Sequence, residues 1–395
     1  MINFEYYTPT KIVFGRGTES RTGELAKAFG AHKALIHYGG KSAVASGLIG
    51  RVKASLDAAG VAHVELGGVV PNPHLGKVRE GIALALREGV DFIIAVGGGS
   101  TIDSSKAIGY GAAEPEHDVW ELYDDAGTRK PAKCLPIGVV LTISAAGSEM
   151  SSSSVITDET TGLKRSCKSD LSRPRFAVTN PELTLTLPDW QTQSGCADVL
   201  MHTMERWFNA SGTLELTDAI AAGLMKTVMK NAQILREHPD NYEARAEVMW
   251  ASSLSHNGLT GCGSDGGDWA VHKIEHELGG MFDVTHGAGL AAVWGSWARY
   301  VMSACLPRFV SFATQVMGVS PRESDEATAL AGIEAMEAYY RSVGMPTNLR
   351  ELGLEPTDEQ IARMAASAAS VGGGHIGVVK KLDAADIEAI YRAAK

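Results

Sequence analysis

Apolar and polar positions alternate in blocks through the first half of the chain. HKALIHYG (32–39) is a short apolar run closed by glycine and predicts a strand, and AHVELGGV (62–69) predicts a second. DFIIAV (91–96) is apolar throughout after its aspartate, as a strand buried on both faces should be. PAKCLPIGVVLT (131–142) predicts one more strand. Between them, SAVASGLIGRVKASLDAAG (42–60), HLGKVREGIALALREG (74–89) and the segment opened by GGGSTIDSSKAIGYG (97–111) have helical spacing, and the first two end on glycine, which closes helices well. Strand–helix alternation predicts a parallel sheet with helices on both faces.

From about Leu187 the strand signal fades. ADVLMHTMERWF, DAIAAGLMKTVMKNAQILRE, NYEARAEVMWASSLSH, residues 268–281, DEATALAGIEAMEAYYRSVG and LDAADIEAIYRAAK all carry helical periodicity. The expectation is a Rossmann-like dinucleotide-binding domain over 1–186 and a helical metal-binding domain over 187–395. The seam lies near TLPDWQTQ, where Pro188 suits a helix start.

A chain of 395 residues and 41.8 kDa is long for one hydrophobic core, so two domains are expected on size alone. The net charge of −10 and pI near 5.7 argue against nucleic acid or an anionic membrane as partner. No apolar run approaches the roughly 20 residues that span a bilayer. The N-terminus lacks a basic-then-apolar signal layout. Five scattered cysteines without a C-x-x-C pair suggest no zinc knot or disulfide framework, and a reducing cytoplasm fits best.

GGGS (97–100) directly follows a buried strand and opens a helix. Glycines admit a pyrophosphate close to the backbone, and a helix N-terminus offers free N–H groups. Gly97, Gly98, Gly99 and Ser100 are candidate cofactor contacts, and Asp103 in the first turn would cap the helix or bond a cofactor hydroxyl. A tight strand-to-helix turn with no ligand is the plain alternative. GGGH (372–375) follows a helical pattern and reads as a helix end. In YGGKS (38–42) no acid is present to accept a ribose 2′-hydroxyl, which tilts the cofactor towards NADP(H), with NAD(H) possible.

Asp198 and His202 are spaced i, i+4 and share one helix face. His272 and His276 have the same spacing, and His286 follows through the turn GGMFDVT. A mixed nitrogen and oxygen set of this kind suits one Zn²⁺ or Fe²⁺. Spacing alone leaves open whether His276 is a ligand or a neighbour.

At these residues the sequence resembles the metal-dependent alcohol dehydrogenases usually called the iron-containing alcohol dehydrogenase family, and within it the butanol dehydrogenase and broad aldehyde reductase branch. The resemblance runs through YYTPTKIVFGRG (6–17), PNP (71–73), GGGSTIDSSKAI (97–108), LTISAAGSEMSSSSVIT (141–157), the Asp198/His202 helix, GDWAVHKIEHELGGMFDVTHGAGLA (267–291) and the C-terminal helix, so it covers nearly the whole chain. It implies four metal ligands, Asp198, His202, His272 and His286. It implies that His276 is a non-ligating histidine near the nicotinamide that handles protons. It further implies nucleotide contacts at Gly97, Gly98, Gly99 and Ser100, at Thr142, Ser144 and Lys164, and at Gly39, Gly40 and Ser42, the loop that receives a 2′-phosphate in NADP-using members. Three departures are Ala146 in place of threonine, Ser151 in place of asparagine and Gly295 where the branch often has proline.

The function this implies is metal-dependent interconversion of aliphatic primary alcohols and aldehydes, NADP(H) preferred, by a homodimer. Two other readings share the architecture: a dehydroquinate-synthase-like lyase using NAD transiently, and a non-catalytic nucleotide- or metal-binding homologue. The lyase needs Lys and Arg around a polyanionic substrate, and Arg206 and Lys273 are the nearest here in sequence.

Overall fold

The computed structural model describes residues 1–123 and 129–395. These divide into two compact units, one spanning Thr8–Leu187 and the other Met1–Tyr7 with Pro188–Lys395. The first seven residues, expected with the dinucleotide half, belong to the helical unit. There the Ile2 N–H donates to the Gly263 carbonyl at 2.8 Å.

The first unit contains β1 (Lys11–Phe14), β2 (Lys33–Tyr38), β3 (Ala62–Leu66), β4 (Phe92–Gly97), β5 (Ile137–Leu141), β6 (Ser153–Asp158), β7 (Leu163–Lys168) and β8 (Phe176–Thr179). Its helices are α1 (Thr22–Ala28), α2 (Lys41–Ala45), α3 (Leu48–Ala58), α4 (Leu75–Glu88) and α5 (Gly99–Ala113). Six strands form one sheet in the order β1-β8-β5-β4-β2-β3, and every neighbouring pair is parallel. The fully buried central strands β4 and β5 explain the unbroken apolar runs of the sequence. β6 and β7 form a separate antiparallel hairpin. The helix expected over 42–60 is two helices, because Gly47 takes a left-handed φ of 71° between them.

The chain order reverses between β2 and β4. From there β3 extends the sheet one way, and β5 and β8 extend it the other. In open parallel sheets the crevice at the carboxyl ends of such strands is where ligands bind. Tyr38 at the end of β2 pairs with Val96 near the end of β4, so both glycine loops leave the sheet at this point.

The second unit consists of α6 (Asp189–Trp207), α7 (Glu215–Glu237), α8 (Tyr242–Ser255), α9 (Ala270–Phe282), α10 (His286–Val301), α11 (Leu306–Ser311), α12 (Asp325–Ser342), α13 (Asp358–Val371) and α14 (Ala384–Ala393). Its core joins α6, α9 and α10 with the later helices and includes the buried Trp207, Trp294, Trp297, Phe208, Phe309 and Tyr340. α13 ends at the GGGH stretch, with Gly372 at its C-cap. At Gly295 an added Cβ would fall 2.0 Å from a Glu337 carboxylate oxygen, so the missing side chain leaves room for the Glu337–Arg299 ion pair. All five cysteines are free. Among the described residues no helix is long and apolar enough to cross a membrane.

Two buried polar groups lock the first unit together. Lys106 on α5 is fully buried and donates to the carbonyls of Ser148, Ser151 and Ser153 at 2.8, 3.0 and 2.7 Å, which secures the chain between β5 and β6. His37 in β2 is fully buried between the Leu66 carbonyl and the Ser104 hydroxyl, each 2.9 Å away. Burial pushes the His37 imidazole down to about 4. The unfolded chain binds this proton at about 6.5, so stability is intact above that pH and falls as pH drops towards 4, by about 3 kcal/mol in total. Urea unfolding between pH 7 and 4 should therefore show a steeper loss in the wild type than in His37→Gln. Equal slopes would contradict this account.

Candidate metal centre and nucleotide loops

Helix α6 places Asp198, His202 and Glu205 on one face, at i, i+4 and i+7. Two close approaches bring the other elements to that face. At Gly287, the second residue of α10, an added Cβ would lie 1.9 Å from the Ser194 carbonyl oxygen on α6. At Gly267, shortly before α9, it would lie 2.3 Å from the Glu205 carbonyl oxygen, and the Asp268 N–H donates to that oxygen at 2.9 Å. Glycine at these two points lets the starts of α9 and α10 press onto α6 on either side of the carboxylate. His272 and His286 arrive with them.

The result is one carboxylate oxygen surrounded by imidazole nitrogens. Asp198 Oδ1 lies 3.1 Å from His202 Nδ1, 3.7 Å from His272 Nε2 and 3.8 Å from His286 Nε2. Asp198, His202 and His272 are buried, at 4, 5 and 6% exposure. Asp198 Oδ1, His202 Nδ1 and His272 Nε2 are buried atoms without a hydrogen-bond partner, although His202 Nδ1 is near enough to Oδ1. Buried polar atoms are rarely left unbonded. Four donor atoms that converge without bonding one another suit a cation held among them, and three imidazoles with one carboxylate are a donor set for Zn²⁺ or Fe²⁺.

The electrostatics agree. Burial alone would raise the Asp198 carboxyl, but His202 and His286 outweigh it and hold Asp198 well below the usual carboxylate range. Burial would lower His272, but the carboxylates of Asp198 and Glu205 on either side of its ring push it up to about 9. Burial pushes His202 down to about 4 against the pull of Asp198. These carboxylates call for positive charge in a place that resists it.

His276 adjoins this set and shares a second cluster with His286. Its ring centroid is 6.5 Å from His272 and 5.9 Å from His286, and its ligating atom clusters with those of Glu275 and His286. The sequence reading passed over Glu205, Glu275 and His256. Glu205 Oε1 accepts from the backbone N–H of His272 at 2.9 Å and from its Nδ1 at 3.1 Å. Glu275 accepts from Nδ1 of His286. The i+7 step from Asp198 was a usable signal for Glu205, whereas Glu275 was hidden between two histidines. His256, whose ring centroid lies 4.0 Å from that of His202, has no signal in its own segment.

The nucleotide candidates sit on the first unit. Gly39 and Gly40 leave β2, and Ser42 lies in α2. Gly97 ends β4, Gly98 is the N-cap of α5 with no side chain capping it, and Gly99 and Ser100 form its first turn. An uncapped first turn keeps its N–H groups available to a phosphate. Packing also demands glycine here, since an added Cβ at Gly98 would lie 1.9 Å from Ile143 Cγ2. Thr142 follows β5 and its N–H donates to the Gly97 carbonyl at 3.1 Å, and Ser144 is buried just beyond it. Lys164 lies on β7 opposite Thr157, and the Thr157 N–H donates to the Pro73 carbonyl at 2.9 Å.

Asp103, expected in the first turn of α5, lies beyond that turn, and its carboxylate is bonded within the protein. One of its carboxylate oxygens accepts from the Ser148 hydroxyl, and the other accepts from the Val155 N–H at 2.9 Å. It ties α5 to the hairpin. Asp103→Ala should lower stability by about 1–3 kcal/mol in urea unfolding through the donors it leaves unbonded. A variant of unchanged stability but weakened nucleotide binding would restore the direct cofactor role.

Comparison with known proteins identifies the family. The family model described as iron-containing alcohol dehydrogenase matches residues 9–181, and that described as Fe-containing alcohol dehydrogenase family, C-terminal, matches residues 192–395. The chain is 38% identical over 393 residues to NADH-dependent butanol dehydrogenase A of Clostridium acetobutylicum, covering 99% of both chains. It is 34% identical over 358 residues to the NADPH-dependent aldehyde reductase YqhD of Escherichia coli, covering 90% of each. The crystal structure of NADH-dependent butanol dehydrogenase A from Thermotoga maritima superposes with a TM-score of 0.95 at 38% identity, covering 100% of this chain and 99% of that one.

Proposed function

The chain belongs to the iron-containing alcohol dehydrogenase family, and from that premise we propose that it is a metal-dependent oxidoreductase interconverting aliphatic primary alcohols and aldehydes with a nicotinamide cofactor. One observation carries the proposal: three imidazole nitrogens converge on a single buried oxygen of Asp198. Asp198, His202, His272 and His286 are the ligands of one divalent ion, Fe²⁺ or Zn²⁺. When bound, the ion supplies Lewis acidity at the substrate oxygen and the nicotinamide supplies or accepts hydride.

The remaining work falls to the protein. The helical unit fixes the donor set, and the first unit offers Gly39, Gly40, Ser42, Gly97, Gly98, Gly99, Ser100, Thr142, Ser144 and Lys164 to the nucleotide. His276, beside the ligands and half-buried, passes the proton to or from the substrate oxygen, a task suited to imidazole near neutral pH. A reducing cytoplasm suits five free thiols, and a homodimer is the commonest assembly for such an enzyme.

For the cofactor we favour NADP(H). The relatives' names divide, NADH-dependent at 38% identity and NADPH-dependent at 34%. The loop after β2 supports the phosphorylated form: it carries no carboxylate, and Lys41 is exposed beside Gly40. Lys41→Glu should shift the kcat/KM ratio from NADPH towards NADH. An unchanged ratio would remove this loop from cofactor choice.

The activity is tested by oxidation of NADPH and NADH with butanal, using metal-stripped protein before and after addition of Fe²⁺ or Zn²⁺. Turnover should return only with metal. Folded protein without turnover under any of these conditions would overturn the reading. His276→Ala should lower kcat about 100-fold or more with metal content retained. Metal loss as steep as in His272→Ala would make His276 a ligand.

A further inference from the structure

We propose that Glu205 and Glu275 are positioning residues of the metal centre, each holding the Nδ1 side of one histidine so that Nε2 of His272 and of His286 is the nitrogen offered to the cation. The proposal rests on the ligand set above. A neutral imidazole carries its proton on one nitrogen and its lone pair on the other, and its ring can turn about the bond to Cβ. A carboxylate only accepts hydrogen bonds. A carboxylate set against Nδ1 therefore requires the proton there and leaves Nε2 as the lone-pair donor.

Both glutamates are placed for this. The Glu205 side chain is 1% exposed, and the same oxygen takes the backbone N–H of His272 at 2.9 Å and its Nδ1–H at 3.1 Å. That double contact fixes the ring relative to its own backbone. Glu205 is also the third member of the α6 stripe begun by Asp198 and His202, so one helix supplies two ligands and the orienter of a third.

Glu275 lies on α9 with no exposure, and it holds His286 at the first turn of α10. It thus joins the two helices that bring the last two ligands. Gly289, one turn beyond His286, makes room for it: an added Cβ there would lie 2.9 Å from Glu275 Cγ and 3.1 Å from its Oε1. His202 is held differently, by packing against the His256 ring at 4.0 Å. Two buried carboxylates, each on the side of an imidazole away from Asp198, add negative charge around the cation and make each histidine a stronger donor.

The test is metal affinity, read by chelator competition with Zn²⁺, together with the visible d–d spectrum of the Co²⁺-loaded protein. Variants are Glu205→Gln, Glu205→Leu, Glu275→Gln and, as control, His272→Ala. Glutamine can still accept from Nδ1 but lacks the charge, so each glutamine variant should weaken Zn²⁺ binding about 10- to 100-fold and shift the Co²⁺ bands. Glu205→Leu should lose more, and Gln should rescue part of that loss. Should Glu275→Gln not fold, Gly289→Ala crowds the same carboxylate from the other helix and should weaken Zn²⁺ binding too. Affinities and spectra equal to wild type, with His272→Ala weakened as expected, would overturn the positioning role alone. An unaffected His272→Ala would overturn the ligand set and this proposal with it.

Discussion

A carboxylate buried at 4% exposure must be compensated, and the environment of Asp198 is built around that requirement. The compensation comes from three imidazoles on three stretches of chain, aimed at one oxygen. Hydrogen bonds between those groups would have been a simpler answer, yet Asp198 Oδ1, His202 Nδ1 and His272 Nε2 make none. A cation among them would satisfy all at once, and the helical unit holds the donors in place for it.

The arrangement reaches back into packing. α6 carries two donors because aspartate and histidine four residues apart share a face. α9 and α10 approach that face because Gly267 and Gly287 let backbone meet backbone. Behind the donors, the aromatic core of Trp207, Phe208, Trp294, Trp297 and Phe309 fixes the helices that hold them. Around the donors, Glu205 and Glu275 turn the rings. Polar precision at the centre and apolar rigidity around it are parts of one construction, since a loose helix would misplace a ligand more readily than it would unfold the domain.

Much of this was legible in the sequence. The unbroken apolar runs of β4 and β5 announced a buried parallel sheet, and the fading of strand pattern after Leu187 announced the helical half. The spacing of Asp198 with His202 pointed to a shared helix face. What was not legible is long-range. Asp103 lies just past the first turn of α5, close to where a cofactor contact would be sought, and its carboxylate goes to Ser148 and Val155, which lie 45 and 52 residues further on. His276 stands four residues from His272, the same spacing as Asp198 and His202, and that spacing alone does not say whether it shares the ion or stands beside it. Glu275 sits in the middle of the histidine cluster, yet its role depends on His286 in another helix. The break at Gly47 shows a smaller limit, in that periodicity passed smoothly over a residue whose backbone turned left-handed.

The central claim is that Asp198, His202, His272 and His286 hold one ion. Crystals of the Zn²⁺- or Fe²⁺-loaded protein, with diffraction recorded on both sides of the metal absorption edge, test it most directly. The account predicts a single anomalous peak about 2.0–2.2 Å from one oxygen of Asp198 and one nitrogen of each of the three histidines, with His276 outside that distance. A peak ligated by His276, or one bound away from Asp198, would contradict it.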